Sequence, residues 1–416
     1  MKNKEKAQNH KIPILQLLFI EFYPFQYKPR VEIIIDKNGI AIIRKTRQRF
    51  PHFVDWISMI LLNSVWVMCV AAIWIVVKET KSYGKMGMDP RIWMWSVWFL
   101  LGFCGTIAYK VWVLDILDMA VHMANEMIQM DTESTAETGG RKSTSETTRF
   151  AGTFESLTMI LYLSPPITLV SIVSNGNDPV YYIVMYLMSF PHFNSFVKNC
   201  WLPGFGKVFQ IIFIILTAWP TCNFLMYEGV RIFVFFISAA TNLGAKATSI
   251  LQKLIEIGPN QGQKRFQYYN RFRIISQSVE NAVKLSVVLI LAAVGVMLCG
   301  FAFLLVRLYG RGSHLMFVIN GFTVILSVLI LELLLTMFGK CDALCRIFFR
   351  CCKNERHLVG KSGCRRTVYR KKVRSLRLLI LPVGLGQFSL SRITKDSKSS
   401  ILFYLVEIIG NVLIAF

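Results

Sequence analysis

The chain is poor in acid, and poorer still in charge of any sign over long runs. Of its 416 residues, 24 are Asp or Glu against 47 Lys or Arg; charged residues make up 17 % and hydrophobic ones 54 %. With a mean hydropathy of +0.47, this composition excludes an ordinary soluble globular protein and marks an integral membrane protein. A pI of about 9.7 raises nucleic acid as a partner, which would require Lys and Arg interleaved with aromatics on soluble segments. The basic residues sit instead between apolar runs of membrane-spanning length, so nucleic acid is excluded.

Other absences narrow the class further. There is no HExxH, no GxSxG and no phosphate-binding loop, and the histidines (His10, His52, His122, His192, His314 and His357) are scattered, so no enzyme and no cofactor are predicted. No internal repeat supports an inverted-repeat transporter. The apolar run Ile12–Ile20 follows Lys2, Lys4, Lys6 and Lys11, lacks a small-residue cleavage site and is broken by Pro13 and Gln16. It reads as a short interfacial or cytosolic helix, not a signal peptide. Half of the ten cysteines, Cys341, Cys345, Cys351, Cys352 and Cys364, fall in one basic stretch with His357, but without a paired CxxC pattern. The surrounding cations oppose a bound dication, so no metal is predicted. Inert thiols are the default there, with acylation of Cys351 and Cys352 as the alternative.

What the chain does have is apolar spans. Seven are read, at Val54–Val77, Ile92–Leu114, Phe154–Val173, Val208–Tyr227, Leu285–Val306, Leu315–Phe338 and Ile401–Phe416. The run Val180–Phe190 is too short to cross alone and is placed outside the membrane or as the continuation of a third span bent at Pro165 and Pro166. With seven spans, 39 of the 47 Lys and Arg fall on the side of the N-terminus. The positive-inside rule then puts the N-terminus in the cytosol and the C-terminus outside. The predicted fold is an all-α integral membrane protein: a cytosolic segment over residues 1–53, then a seven-helix domain over 54–416. Residues 131–150, rich in Ser, Thr and Glu, read as a disordered cytosolic loop. Residues 231–284 and 339–398 read as cytosolic anchor helices and basic loops, and the location implied is a multi-pass protein of the plasma membrane.

The last span carries the most informative pattern. Ser400, Tyr404, Glu407 and Asn411 follow i, i+4, i+7, i+11, which places them on one helical face. A carboxylate at the centre of a bilayer costs at least ~2.5 kcal/mol, so this face must meet protein or water. It is either the wall of an aqueous path or a buried interhelical network. Glu332, in the sixth span, is a second intramembrane carboxylate and reads as a structural partner or a snorkelling group. Trp98, Tyr162, Gln210, Trp219 and Asn320 are either ordinary interfacial and core residues or the few polar and aromatic contacts of a small apolar pocket.

The C-terminal region, a basic loop followed by LRLLILPVGLGQFSLSRITKDSKSSILFYLV and early termination, resembles the arthropod gustatory and odorant receptor superfamily. The gustatory signature is Thr-Tyr, five apolar residues and Gln-Phe. Tyr404 matches its Tyr, while Phe403, Gly410 and Asn411 stand where it has Thr, Gln and Phe. The resemblance implies a homo- or heterotetrameric, ligand-gated, non-selective cation channel embedded in lipid. It implies a central pore lined by Tyr404, Glu407 and Asn411 of the seventh span, and an odorant or tastant held in the outer half of the bundle. A secondary transporter and a G-protein-coupled receptor are the alternatives.

Overall fold

The computed structural model describes residues 17–22, 24, 30–35, 41–46, 51–80, 89–137, 156–168, 177–192, 195, 206–257, 262–307, 314–354, 363–376, 382–385, 388–392 and 397–415. Long apolar helices dominate, as low charge and unbroken hydrophobic runs require where no water can satisfy the backbone. In chain order the helices are α1 (Pro51–Thr80), α2 (Pro90–Tyr109), α3 (Leu117–Glu137), α4 (residues 156–168), α5 (Pro179–Met188) and α6 (Gly206–Glu256). They continue as α7 (Gly262–Ser278), α8 (Glu280–Arg307), α9 (His314–Asn354), α10 (Gly363–Ser375) and α11 (Ser397–Ala415). The described residues of the predicted spans are helical, while residues 154, 155, 169–173 and 416 lie outside the described residues. Among the described residues, five stretches are long and apolar enough to cross a membrane: Trp56–Glu79, Pro90–Asp115, Leu225–Glu256, Glu280–Val306 and His314–Asn354. The protein is therefore an α-helical membrane protein.

Two helix starts are written in Asp-Pro pairs. Asp89 accepts from the Arg91 amide at 2.9 Å, and Asp178 accepts from the Val180 amide at 3.0 Å; in each case the following Pro occupies the first turn, where its missing N–H costs nothing. The second start makes α5 a separate helix packed against α1 and α6. Helices approach closely where glycine allows it: an added methyl at Gly300 of α8 would run into Val97 of α2, and one at Gly244 of α6 would lie 2.6 Å from Met337 Cε of α9.

Short strands accompany the helices: β1 (Val31–Ile35) and β2 (Ala41–Lys45) form an antiparallel hairpin. A second hairpin pairs β3 (Pro382–Leu385) with β4 (Phe388–Arg392), inside the stretch expected to be basic loop, and β3 lies against α8. Of the interfacial helix expected at Ile12–Ile20, residues 12–16 lie outside the described residues and the rest begins a π-helical turn, Leu17–Glu21. Residues 131–137 are not disordered: they are the last two turns of α3. Their carboxylates are neutralised by Lys and Arg from neighbouring helices, an interaction that local composition does not register.

Helices α6 and α9 have 51 and 41 residues. At 1.5 Å per residue both greatly exceed the ~30 Å hydrocarbon thickness, so they project beyond it. Their projecting ends pack with α3, α7 and α10 around Met130, Leu251, Leu254, Tyr269, Phe272 and Phe348, all essentially inaccessible to solvent. Cys345 and Cys352 are fully buried in this core. That removes Cys352 as an acylation site and leaves Cys351, which is half-buried.

Candidate functional site

Helix α11 lies at the edge of the bundle, on α8 and α9. Ile401, Leu402 and Leu405 pack inward on the apolar cluster around Val294, Leu331 and Leu335. The seat is close because position 295 is glycine: an added methyl there would fall 3.3 Å from Leu405 Cδ2. The opposite face holds Ser400, Tyr404, Glu407 and Asn411, every one exposed. At 100° per residue the four fall within about 60° of arc, at the centre of the exposed surface. Phe403 and Val406 on one flank, each 68 % exposed, and Ile408 on the other frame this polar strip with apolar side chains. Among the described residues, none of the four polar side chains forms a hydrogen bond or ion pair with the rest of the chain. Tyr404 makes only an edge contact with the Phe403 ring. The arrangement offers water, or a second protein surface, one carboxylate and three neutral polar groups in a line. Glu332 is exposed on α9 and interacts within the chain.

Among the described residues, those expected around a ligand pocket divide between two places. Trp98 packs on the cluster formed by Cys69, Met94, Trp95, Phe301 and Met316. Asn320 is 1 % exposed and stands one turn from both Met316 and Val324, which belong to that same cluster. Its Nδ2 has no hydrogen-bond partner among the described residues, a state that costs roughly 1–3 kcal/mol. Tyr162 is elsewhere: it donates to the Phe22 carbonyl at 2.6 Å and makes edge contacts with Phe19 and Tyr227. Gln210 and Trp219 are on α6, but their side chains lie outside the described residues.

Sequence reasoning missed two ionic features. The first is buried between α1 and α6. Glu228 and Arg231 pair at 2.7 Å with side chains 1 % and 4 % exposed, and the Ser58 hydroxyl donates to Glu228 Oε1 at 2.7 Å. The i, i+3 spacing was the available signal. The second ties α3 to α6 and α7. Asp131 accepts from Lys246 Nζ at 2.6 Å, Ser249 Oγ at 2.7 Å and Lys253 Nζ at 2.5 Å. Burial acts to raise the Asp131 pKa, but hydrogen bonds from Lys246 and Lys253 and the Lys246 charge prevail, so it sits below its ordinary value. Arg271 reaches Glu126 at 2.6 Å and Glu133 at 3.1 Å. Lys264 and Tyr268 both meet Glu137 at 3.2 Å. Burial and the Glu137 charge raise the Tyr268 phenol above its usual value.

No protein-family model matches the chain, and a search of curated proteins finds no match either.

Proposed function

We propose that this chain is one subunit of a chemosensory channel of the plasma membrane, opened by a small tastant or odorant and conducting cations through a pore lined by α11. The observation that carries the reading is the outward polar strip of α11. A helix whose polar face pointed to lipid would be penalised for its carboxylate alone by ~2.5–3.5 kcal/mol. Symmetric association of several copies about an axis beside α11 removes that penalty. The strip then surrounds water, Glu407 forms an acidic ring that favours cations, and Tyr404 and Asn411 supply polar walls one turn to either side. Four copies follow from the resemblance to the gustatory and odorant receptors, and a cytosolic N-terminus from the distribution of Lys and Arg. The aromatic cluster around Trp98, with the unpartnered amide of Asn320, supports an apolar ligand that accepts a hydrogen bond.

Reversal potentials under asymmetric salt test this reading. Glu407→Gln keeps the shape and removes the charge, and is expected to lower cation-over-anion permeability while the protein still reaches the cell surface. An expressed Gln channel with unchanged selectivity removes Glu407 from the pore wall. Ligand-dependent uptake without ionic current would favour a transporter instead. An N-terminal epitope stained on intact cells would favour a G-protein-coupled receptor.

A further inference from the structure

A cleft of about 280 Å³ opens where α2 ends. There the helix loosens into a π-helical turn, Lys110–Asp115, before α3 begins, and such turns recur at functional positions. The first hairpin forms the other wall. Val31 pairs with Lys45 and the Thr46 amide donates to the Arg30 carbonyl at 2.9 Å, so the open end of the hairpin sets Arg30 and Lys45 side by side. Asn125 of α3 holds the hairpin in place, accepting from the Ile43 amide at 2.9 Å and donating to its carbonyl at 2.8 Å.

The lining is balanced in charge: Arg30 and Lys45 face Asp115 and Asp118, with Leu114 and Met119 beside them. Lys45 and Asp118 pair with each other, and Asp115 has no ion pair among the described residues. Leu114 and Met119 are 41 % and 42 % exposed, an apolar margin at the end of a segment that can span the membrane. We infer that this cleft binds the headgroup of a zwitterionic phospholipid bearing a primary ammonium, with the phosphate on Arg30 and Lys45, the ammonium on Asp115 and the acyl chains along Leu114 and Met119. Equal numbers of cations and anions do not select a purely anionic headgroup. A quaternary ammonium is recognised by aromatic rings, and none of the described residues lining the cleft is aromatic. A primary ammonium donates hydrogen bonds that a carboxylate accepts. The apolar margin favours a bilayer lipid over a soluble phosphoamine.

The test reconstitutes the full chain into bilayer discs with equal proportions of phosphatidylethanolamine, phosphatidylcholine and phosphatidylglycerol, and reads retained lipid by native mass spectrometry. The wild-type protein is expected to retain phosphatidylethanolamine about tenfold over phosphatidylcholine, the effect of one charge-assisted hydrogen bond. Asp115→Asn should abolish the preference, Asp115→Glu should keep it, and Asp115→Lys should turn it toward phosphatidylglycerol. Equal retention of the ethanolamine and choline lipids by the wild type overturns the inference and needs no variant. So does a preference that survives Asp115→Asn. Displacement of the lipid by free phosphoethanolamine as readily as by its lysolipid assigns the cleft to a soluble ligand and overturns the bilayer source.

Discussion

The lobe built by α3, α7 and the projecting end of α6 differs from α11 in how its polar groups are treated. In the lobe, Asp131, Glu126, Glu133 and Glu137 all meet Lys or Arg within the same chain. On α11, Ser400, Tyr404, Glu407 and Asn411 meet none among the described residues. One set is complete within the chain. The other sits on a helix with an apolar seat and a polar outer face, and has no partner among the described residues. The difference separates polar residues that hold the fold from those that are free to act.

The comparison breaks first at Asp131, if it is wrong. Asp131→Ala strips the main partner from Lys253, whose side chain is 9 % exposed, and leaving one half of a buried pair costs about 3 kcal/mol. Denaturant unfolding in detergent should register that loss; an unchanged midpoint would mean the lobe does not depend on its ion pairs. The pH dependence has a defined sign. Because the folded Asp131 pKa is depressed, its contribution is fully present above the ordinary carboxylate pKa and disappears as pH falls through the lower folded value. Stability measured from neutral pH downward should therefore lose this contribution only in acid, and the Asp131→Ala protein should lack that loss.

Arg271→Ala is expected to cost less, about 0.5 kcal/mol, because the side chain is 34 % exposed and solvent screens its pairs with Glu126 and Glu133. Smaller still is Asn411→Leu, which should leave unfolding of the isolated chain within about 0.5 kcal/mol, since Asn411 is exposed and bonded to nothing among the described residues. Its effect should appear instead in single-channel conductance. A large loss of subunit stability would mean that the strip is structural.

Much of this was legible in the sequence because hydrophobic length and helical spacing are local properties. The helix positions and the single face shared by Ser400, Tyr404, Glu407 and Asn411 follow from them directly. That this face points away from the bundle was not legible, because it depends on how α11 seats against Gly295. The Asp131–Glu137 turns were misread as loop for a related reason. Their composition is loop-like, and only the partners supplied by Lys246, Lys253, Lys264 and Arg271 make them a helix worth forming. A signal was present: Glu126 and Glu133 stand two turns apart, as do Lys246 and Lys253, and Lys264 and Arg271. That Tyr162 stands apart from Trp98 and Asn320 was not legible either, because residue type and span do not say which helices meet. Tyr162 is bound to the N-terminal segment at Phe22, a contact across 140 residues of sequence.

The most direct test is a cysteine scan along α11 with a charged, water-soluble thiol reagent, read as modification and loss of ligand-evoked current. The account predicts that Tyr404→Cys, Glu407→Cys and Asn411→Cys react and that current falls, while Leu402→Cys and Leu405→Cys stay protected against the bundle. Protection of positions 404, 407 and 411 in a protein that still conducts would contradict it, and would place the polar strip of α11 in a dry contact instead of on a water-filled path.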